Sequence, residues 1–119
     1  MRTIIFNKPY GVLSQFTDEG TDHPTLKQYI DVPNVYAAGR LDRDSEGLLI
    51  LTDDGMLKKR LTDPIHHVEK TYWALVEGEP TQEGLSRIEN GIKLKGYTTR
   101  PAVIRLIPNP GMPPRSKPV

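Results

Sequence analysis

Residues 39–55, Gly-Arg-Leu-Asp-Arg-Asp-Ser-Glu-Gly-Leu-Leu-Ile-Leu-Thr-Asp-Asp-Gly, pass from a charged loop through an apolar run into an acidic turn. Leu48-Leu49-Ile50-Leu51 is too short for a buried helix and is bounded by Gly47 and by Asp53-Asp54-Gly55, so it reads as a buried strand. The rest of the chain must then supply its neighbours, because a lone strand leaves backbone donors and acceptors unpaired. The same segment sets Asp42 between Arg40 and Arg43 at the mouth of the strand. A carboxylate in that place can be held rigidly as a nucleophile, with its charge governed by its neighbours.

Two other readings compete for these residues. Asp, Ser and Gly are ordinary loop residues, and adjacent Arg and Asp usually form solvated ion pairs. Asp42, Asp44, Glu46 and Gly47 also fall at positions one, three, five and six of a calcium-binding EF-hand loop. Position twelve is then Asp53 rather than a bidentate Glu, and the strand after the loop replaces the helix that an EF-hand requires. Metal is not expected elsewhere: His66 and His67 are adjacent and so point different ways, with no carboxylate at helical spacing to complete a site. Ser14, Ser45 and Ser86 lack a base partner or a nucleophile-elbow context.

Along the chain, Thr3 to Asn7 reads as an opening strand closed by Lys8-Pro9-Tyr10-Gly11. Thr25 to Ile30 predicts a short helix, broken by Asp31-Val32-Pro33-Asn34. Met56 to Leu61 predicts a two-turn helix starting at the Asp53-Asp54 pair and stopped by Asp63-Pro64. Lys70 to Glu77 alternates, with Tyr72, Ala74 and Val76 on one face and Trp73, Leu75 and Glu77 on the other, and so predicts a strand. Thr81 to Asn90 predicts a helix capped by Thr81 and closed by Gly91, and Ile92 to Ile107 predicts two or three short strands. Strands and helices alternate without regular helical crossovers, so the fold class is α+β, a mixed and mostly antiparallel sheet with short helices.

A chain of 119 residues can form one domain with a real core. The absence of cysteine removes disulfides, thiolate metal sites and cysteine nucleophiles, and fits a reducing compartment. The N-terminus lacks the apolar core of a signal peptide and no run approaches a membrane span, so a cytoplasmic protein is expected. The net charge of +1 is uninformative, but residues 1–57 carry −4 and residues 58–119 carry +5. A phosphate backbone would lean on the second half, where Lys58-Lys59-Arg60 is the densest cluster, although on a helix such a cluster is commonly a solvated face. Residues 108–119 hold five prolines and read as an extended linker or tail. Residues 1–107 are therefore expected to form the structured portion.

The segment from Gly39 to Gly55 resembles the signature GRLDxxSxGLLxLTxDG of the bacterial pseudouridine synthases related to the ribosomal small-subunit enzyme. Phe6-Asn7-Lys8-Pro9-Tyr10-Gly11 is similar to the family's N-K-P-x-G, and Lys70-Thr71-Tyr72 to its K-x-Y. The extended match from Tyr36 to Leu49 is most like the family's large-subunit branch. The resemblance implies that the catalytic fold is expected to start almost directly at Met1, without the small RNA-binding domain that many relatives carry ahead of it.

The resemblance implies isomerisation of a uridine to pseudouridine in ribosomal RNA, with the large subunit favoured. Asp42 would be the catalytic nucleophile. Tyr72, which on residues alone reads as a core tyrosine with a satisfied hydroxyl, would stack on the base and move a proton. Arg40 would fill the space left by the extruded base, with Arg43, Lys8 and Lys70 as further RNA contacts; a structural ion pair is the competing role for Arg40. No group or electron enters from outside, so no cofactor and no metal are expected. The family's later N-R-Q-V-R-R-like segment, whose arginine is expected to pair with the aspartate, has no counterpart among Arg100, Arg105 and Arg115. The chain is thus expected to be the N-terminal portion of a longer, monomeric enzyme, inactive and prone to self-association by itself. The alternative is a non-catalytic RNA-binding module or degenerate synthase.

Overall fold

The structure, a computed structural model, describes residues 1–108 and 110–112. The chain divides into two compact units, the first covering Met1–Thr71 and the second beginning at Tyr72.

The first unit is built on three strands: β1 (Thr3–Lys8), β2 (Tyr36–Ala37) and β3 (Gly47–Thr52). β3 lies in the middle and pairs antiparallel with both neighbours. Its register sets Ile4 opposite Leu51, Phe6 opposite Leu49 and Lys8 opposite Gly47, so these side chains share one face. On that face Leu49 and Leu51 join Val12, Leu26 and Val35 in the buried core, with Ile4, Phe6, Phe16, Ile30 and Leu41 packed around them. The opposite face is open: Ile5 is 76% exposed, and Leu48 and Tyr36 are also exposed.

Turns and caps follow local chemistry. Thr25 and Gln28 form a reciprocal capping box over a single 3₁₀ turn at Leu26–Gln28, which buries Leu26 against the core. The helix expected there is thus shorter than Thr25 to Ile30. Helix α1 (Gly55–Thr62) follows β3 directly, and Asp54 Oδ1 accepts from the Met56 and Leu57 amides at 3.0 and 3.2 Å. Asp53 also has a structural task, accepting from the Arg2 amide at 2.9 Å while its own amide donates to the Arg2 carbonyl. The acidic tail of the signature therefore ties the sheet edge to the helix start.

In the second unit, Thr81 caps helix α2 (Gln82–Glu89), whose Leu85 is buried. A hairpin follows, with β4 (Lys93–Leu94) and β5 (Tyr97–Thr98) joined by Lys95-Gly96. Gly91 between helix and hairpin has φ +96°, and a Cβ there would sit 2.6 Å from the Thr99 carbonyl oxygen, so only glycine fits.

The architecture is α+β with antiparallel sheets, as expected, but Lys70 to Glu77 forms no strand. Tyr72, Trp73, Leu75 and Val76 are all exposed. Alternation states which face a strand would bury, but the strand exists only when a neighbouring edge takes up its hydrogen bonds. The described residues offer this segment none. Of the strands expected between Ile92 and Ile107, the two-residue pair of the hairpin forms. The linker expected over residues 108–119 lies largely outside the described residues; Pro108 and residues 110–112 carry no regular structure.

Candidate active site

Asp42 opens a tight turn, with the Ser45 amide donating to its carbonyl at 3.0 Å. Gly47, with φ +129°, then lets the chain swing into β3. The loop therefore runs straight into the central strand, and no helix follows it in EF-hand fashion.

The loop backbone is pinned along its length. The Arg43 carbonyl accepts from the Gly11 amide at 2.8 Å and from Lys8 Nζ at 3.3 Å. The Leu41 carbonyl accepts from Ser14 Oγ at 2.8 Å, and the Leu41 amide donates to the same oxygen at 3.0 Å. The N-K-P-Y-G turn and the residues just beyond it thus form the seat on which the Asp42 loop rests. The carboxylate of Asp42 itself faces solvent.

The two arginines beside Asp42 point to other partners. Arg43 pairs with Asp44 at 3.1 Å, an exposed contact worth about 0–1 kcal/mol. Arg40 Nη2 donates to Gln15 Oε1 at 2.5 Å. Among the described residues no ion pair reaches the Asp42 carboxylate. Neither flanking arginine pairs with the Asp42 carboxylate: Arg40 reaches across to Gln15, and Arg43 pairs with the next residue, Asp44.

Lys8 requires a second correction. It is 0% exposed and packs on the core face of β1. Its Nζ donates to the carbonyls of Pro9, Val12 and Arg43 at 2.9, 2.8 and 3.3 Å. All three ammonium hydrogens are engaged within the protein, so Lys8 is a structural cation and not a surface contact for RNA. Burial holds its pKa below the ordinary lysine value, opposed by the nearby charges of Glu46 and Asp44 and, more weakly, Asp42, with Arg43 acting in the same direction as burial.

Lys70 is exposed at the end of the first unit, and Tyr72, 62% exposed, opens the second. Asp42, Arg40, Arg43 and Lys8 are thus gathered about one loop, whereas Tyr72 belongs to a separate unit. No group of His, Asp and Glu able to hold a metal occurs among the described residues. Ser14, which sequence reading weighed only as a nucleophile and set aside, and Gln15, which it passed over, emerge as the residues that contact Leu41 and Arg40. Their partners lie 27 and 25 positions away, and no local spacing signals such contacts.

Comparison with known proteins resolves the kinship of this site. The sequence profile described as RNA pseudouridylate synthase matches residues 2–109. The chain belongs to that family.

It is 53% identical over 118 residues to ribosomal large subunit pseudouridine synthase E of Xanthomonas axonopodis pv. citri, covering 98% of this chain and 62% of that protein. The enzyme of the same name from Vibrio vulnificus is 52% identical, with 99% of this chain and 50% of the relative covered. Ribosomal small subunit pseudouridine synthase A of Escherichia coli K12 is 38% identical over 111 residues, or 89% of this chain and 47% of that protein. A crystal structure of a pseudouridylate synthase superposes with a TM-score of 0.80 at 35% identity, covering 90% of this chain and 47% of the other. The chain therefore spans about half to three-fifths of the length of these relatives. No helix among the described residues is long and apolar enough to cross a membrane.

Proposed function

We propose that this chain is the aspartate-bearing portion of a cytoplasmic pseudouridine synthase that isomerises a uridine of ribosomal RNA, in the large subunit. The family match, which runs through the Asp42 loop, carries this reading. The identities of 53% and 52% to large-subunit enzymes, against 38% to a small-subunit enzyme, support the choice of subunit.

The reaction breaks the bond between ribose C1′ and uracil N1, turns the base, joins C1′ to C5, and removes the C5 proton while N1, freed of the sugar, takes up a proton. Atoms and electrons balance without an external reagent. Asp42 is the charged carboxylate that starts it, by attack on C1′, attack on the base, or removal of a sugar proton. Tyr72 stacks on the extruded uracil and accepts the proton. Extrusion costs a few kcal/mol of lost stacking, which Arg40 offsets by filling the vacated space with its planar guanidinium. Arg43 and Lys70 contact the RNA backbone.

A binding module without catalysis is the second reading. It draws support from the exposed Asp42 carboxylate, which has no ion-pair partner among the described residues. Pseudouridine mapping separates the two, using cells that lack the enzyme and are complemented with variants of the full natural chain. Asp42→Asn keeps the shape and removes the charge, so modification should vanish while RNA affinity stays within about threefold. Tyr72→Phe should slow turnover by about 10²–10⁴-fold without unfolding the protein. Normal modification by Asp42→Asn rules out the catalytic reading.

A further inference from the structure

The orientation of the Asp42 loop is set by a dipeptide outside every motif. Ser14 is 5% exposed, and its hydroxyl both donates to the Leu41 carbonyl and accepts from the Leu41 amide. One oxygen thereby fixes the two peptide planes of Leu41, one shared with Arg40 and the other with Asp42. Gln15 Nε2 donates to the Thr17 carbonyl at 2.6 Å, which turns Oε1 toward Arg40. The dipeptide is itself anchored: the Leu13 amide donates to the Pro24 carbonyl at 2.9 Å and the Leu26 amide to the Gln15 carbonyl at 2.8 Å. Leu26, at 0% exposure, seats this strip in the core.

We propose that Ser14 and Gln15 are positioning residues for the Arg40-Leu41-Asp42 triplet. Ser14 sets the direction in which the Asp42 side chain leaves the backbone, and Gln15 holds the Arg40 guanidinium ready for RNA. This inference rests on the reading of Asp42 as the nucleophile and Arg40 as the group that replaces the extruded base. A surface carboxylate without an ion-pair partner takes its orientation from its backbone, and productive geometry tolerates errors of about 0.5 Å. Gln15 is suited to its task because it is neutral. A carboxylate there would pair with Arg40 and compete with RNA phosphate, whereas an amide oxygen orients the guanidinium and leaves its charge available.

The test uses the full natural chain on an rRNA substrate, with kcat and KM measured separately. Ser14→Ala should lower kcat about 100-fold at unchanged KM, and Ser14→Thr, which keeps the hydroxyl, should recover most of that loss. Gln15→Leu should raise KM about tenfold at unchanged kcat, since Arg40 is no longer held ready. Hydrogen exchange of the Leu41 amide should accelerate in Ser14→Ala and not in Ser14→Thr. A general loss of stability would move kcat and KM together without this division between the two positions. The side chain of Gln15 is only partly buried, so Gln15→Leu remains informative even if Ser14→Ala fails to fold. Asp42→Asn runs alongside: full turnover in that variant removes the underlying reading. An inactive Asp42→Asn together with wild-type kinetics in Ser14→Ala or Gln15→Leu overturns the positioning role alone.

Discussion

Replacing Lys8 by methionine keeps the buried stem and removes three hydrogen bonds to carbonyls at one stroke. Charge-assisted bonds of this kind contribute about 1.5–3 kcal/mol, and the Pro9 and Val12 carbonyls, losing this donor, add desolvation cost while that of Arg43 keeps the Gly11 amide, so Lys8→Met should lower stability by about 3 kcal/mol in urea unfolding. The pH dependence has a definite sign. The folded protein holds the Lys8 pKa below its ordinary value of 10.5, so over that interval the unfolded chain binds more protons and stability from this group rises with pH. The stability difference between wild type and Lys8→Met should accordingly grow as pH rises toward 10.5, other titrating groups being common to both. A difference that shrinks would show that the ammonium is not desolvated. That Lys8 precedes a turn and that Asp42 sits in a charged loop leading into a buried strand were both readable from residue order. That Lys8 is buried beneath the loop, and that the flanking arginines turn to Gln15 and Asp44, were not, because these contacts depend on side-chain directions in a folded loop.

The central position of β3 makes it the element on which the first unit depends. Leu51 is fully buried, and Leu51→Ala should cost about 2–5 kcal/mol, measurable as a lowered urea midpoint. Asp54→Ala removes the acceptor for two amides at the start of α1 and should cost about 1 kcal/mol, with helix content reduced locally by amide exchange. Both elements were legible from local pattern: an apolar run between turn residues, and an acidic cap before helical spacing. Lys70 to Glu77 shows the boundary of that logic. Its alternation is as regular as that of β1, yet β1 has β3 beside it and Lys70 to Glu77 has no partner strand among the described residues. The hairpin of β4 and β5 needs only a two-residue turn and forms locally, whereas a longer strand needs a distant edge.

Among the described residues, large apolar side chains lie exposed in both units. Ile5, Leu48 and Tyr36 lie open on one sheet face of the first unit, and Trp73, Leu75 and Val76 are exposed in the second. Alone, it should self-associate at micromolar concentration, read as a concentration-dependent mass in light scattering, and should not turn over an rRNA uridine. A monomer that modifies rRNA at the rate of a longer form would mean that residues 1–119 hold a complete site. Chemistry tied to residue type and short spacing was decided by the sequence alone: the carboxylate loop, the buried strand after it, the caps, the α+β class and the family resemblance. Tertiary structure decided which side chains meet. The Ser14 clamp on Leu41, the Gln15 hold on Arg40 and the burial of Lys8 join residues 25 to 35 positions apart, and such contacts follow from how the sheet brings loops together. The physical reason is that a local pattern fixes only which groups must find a partner, while the identity of that partner is settled by long-range packing.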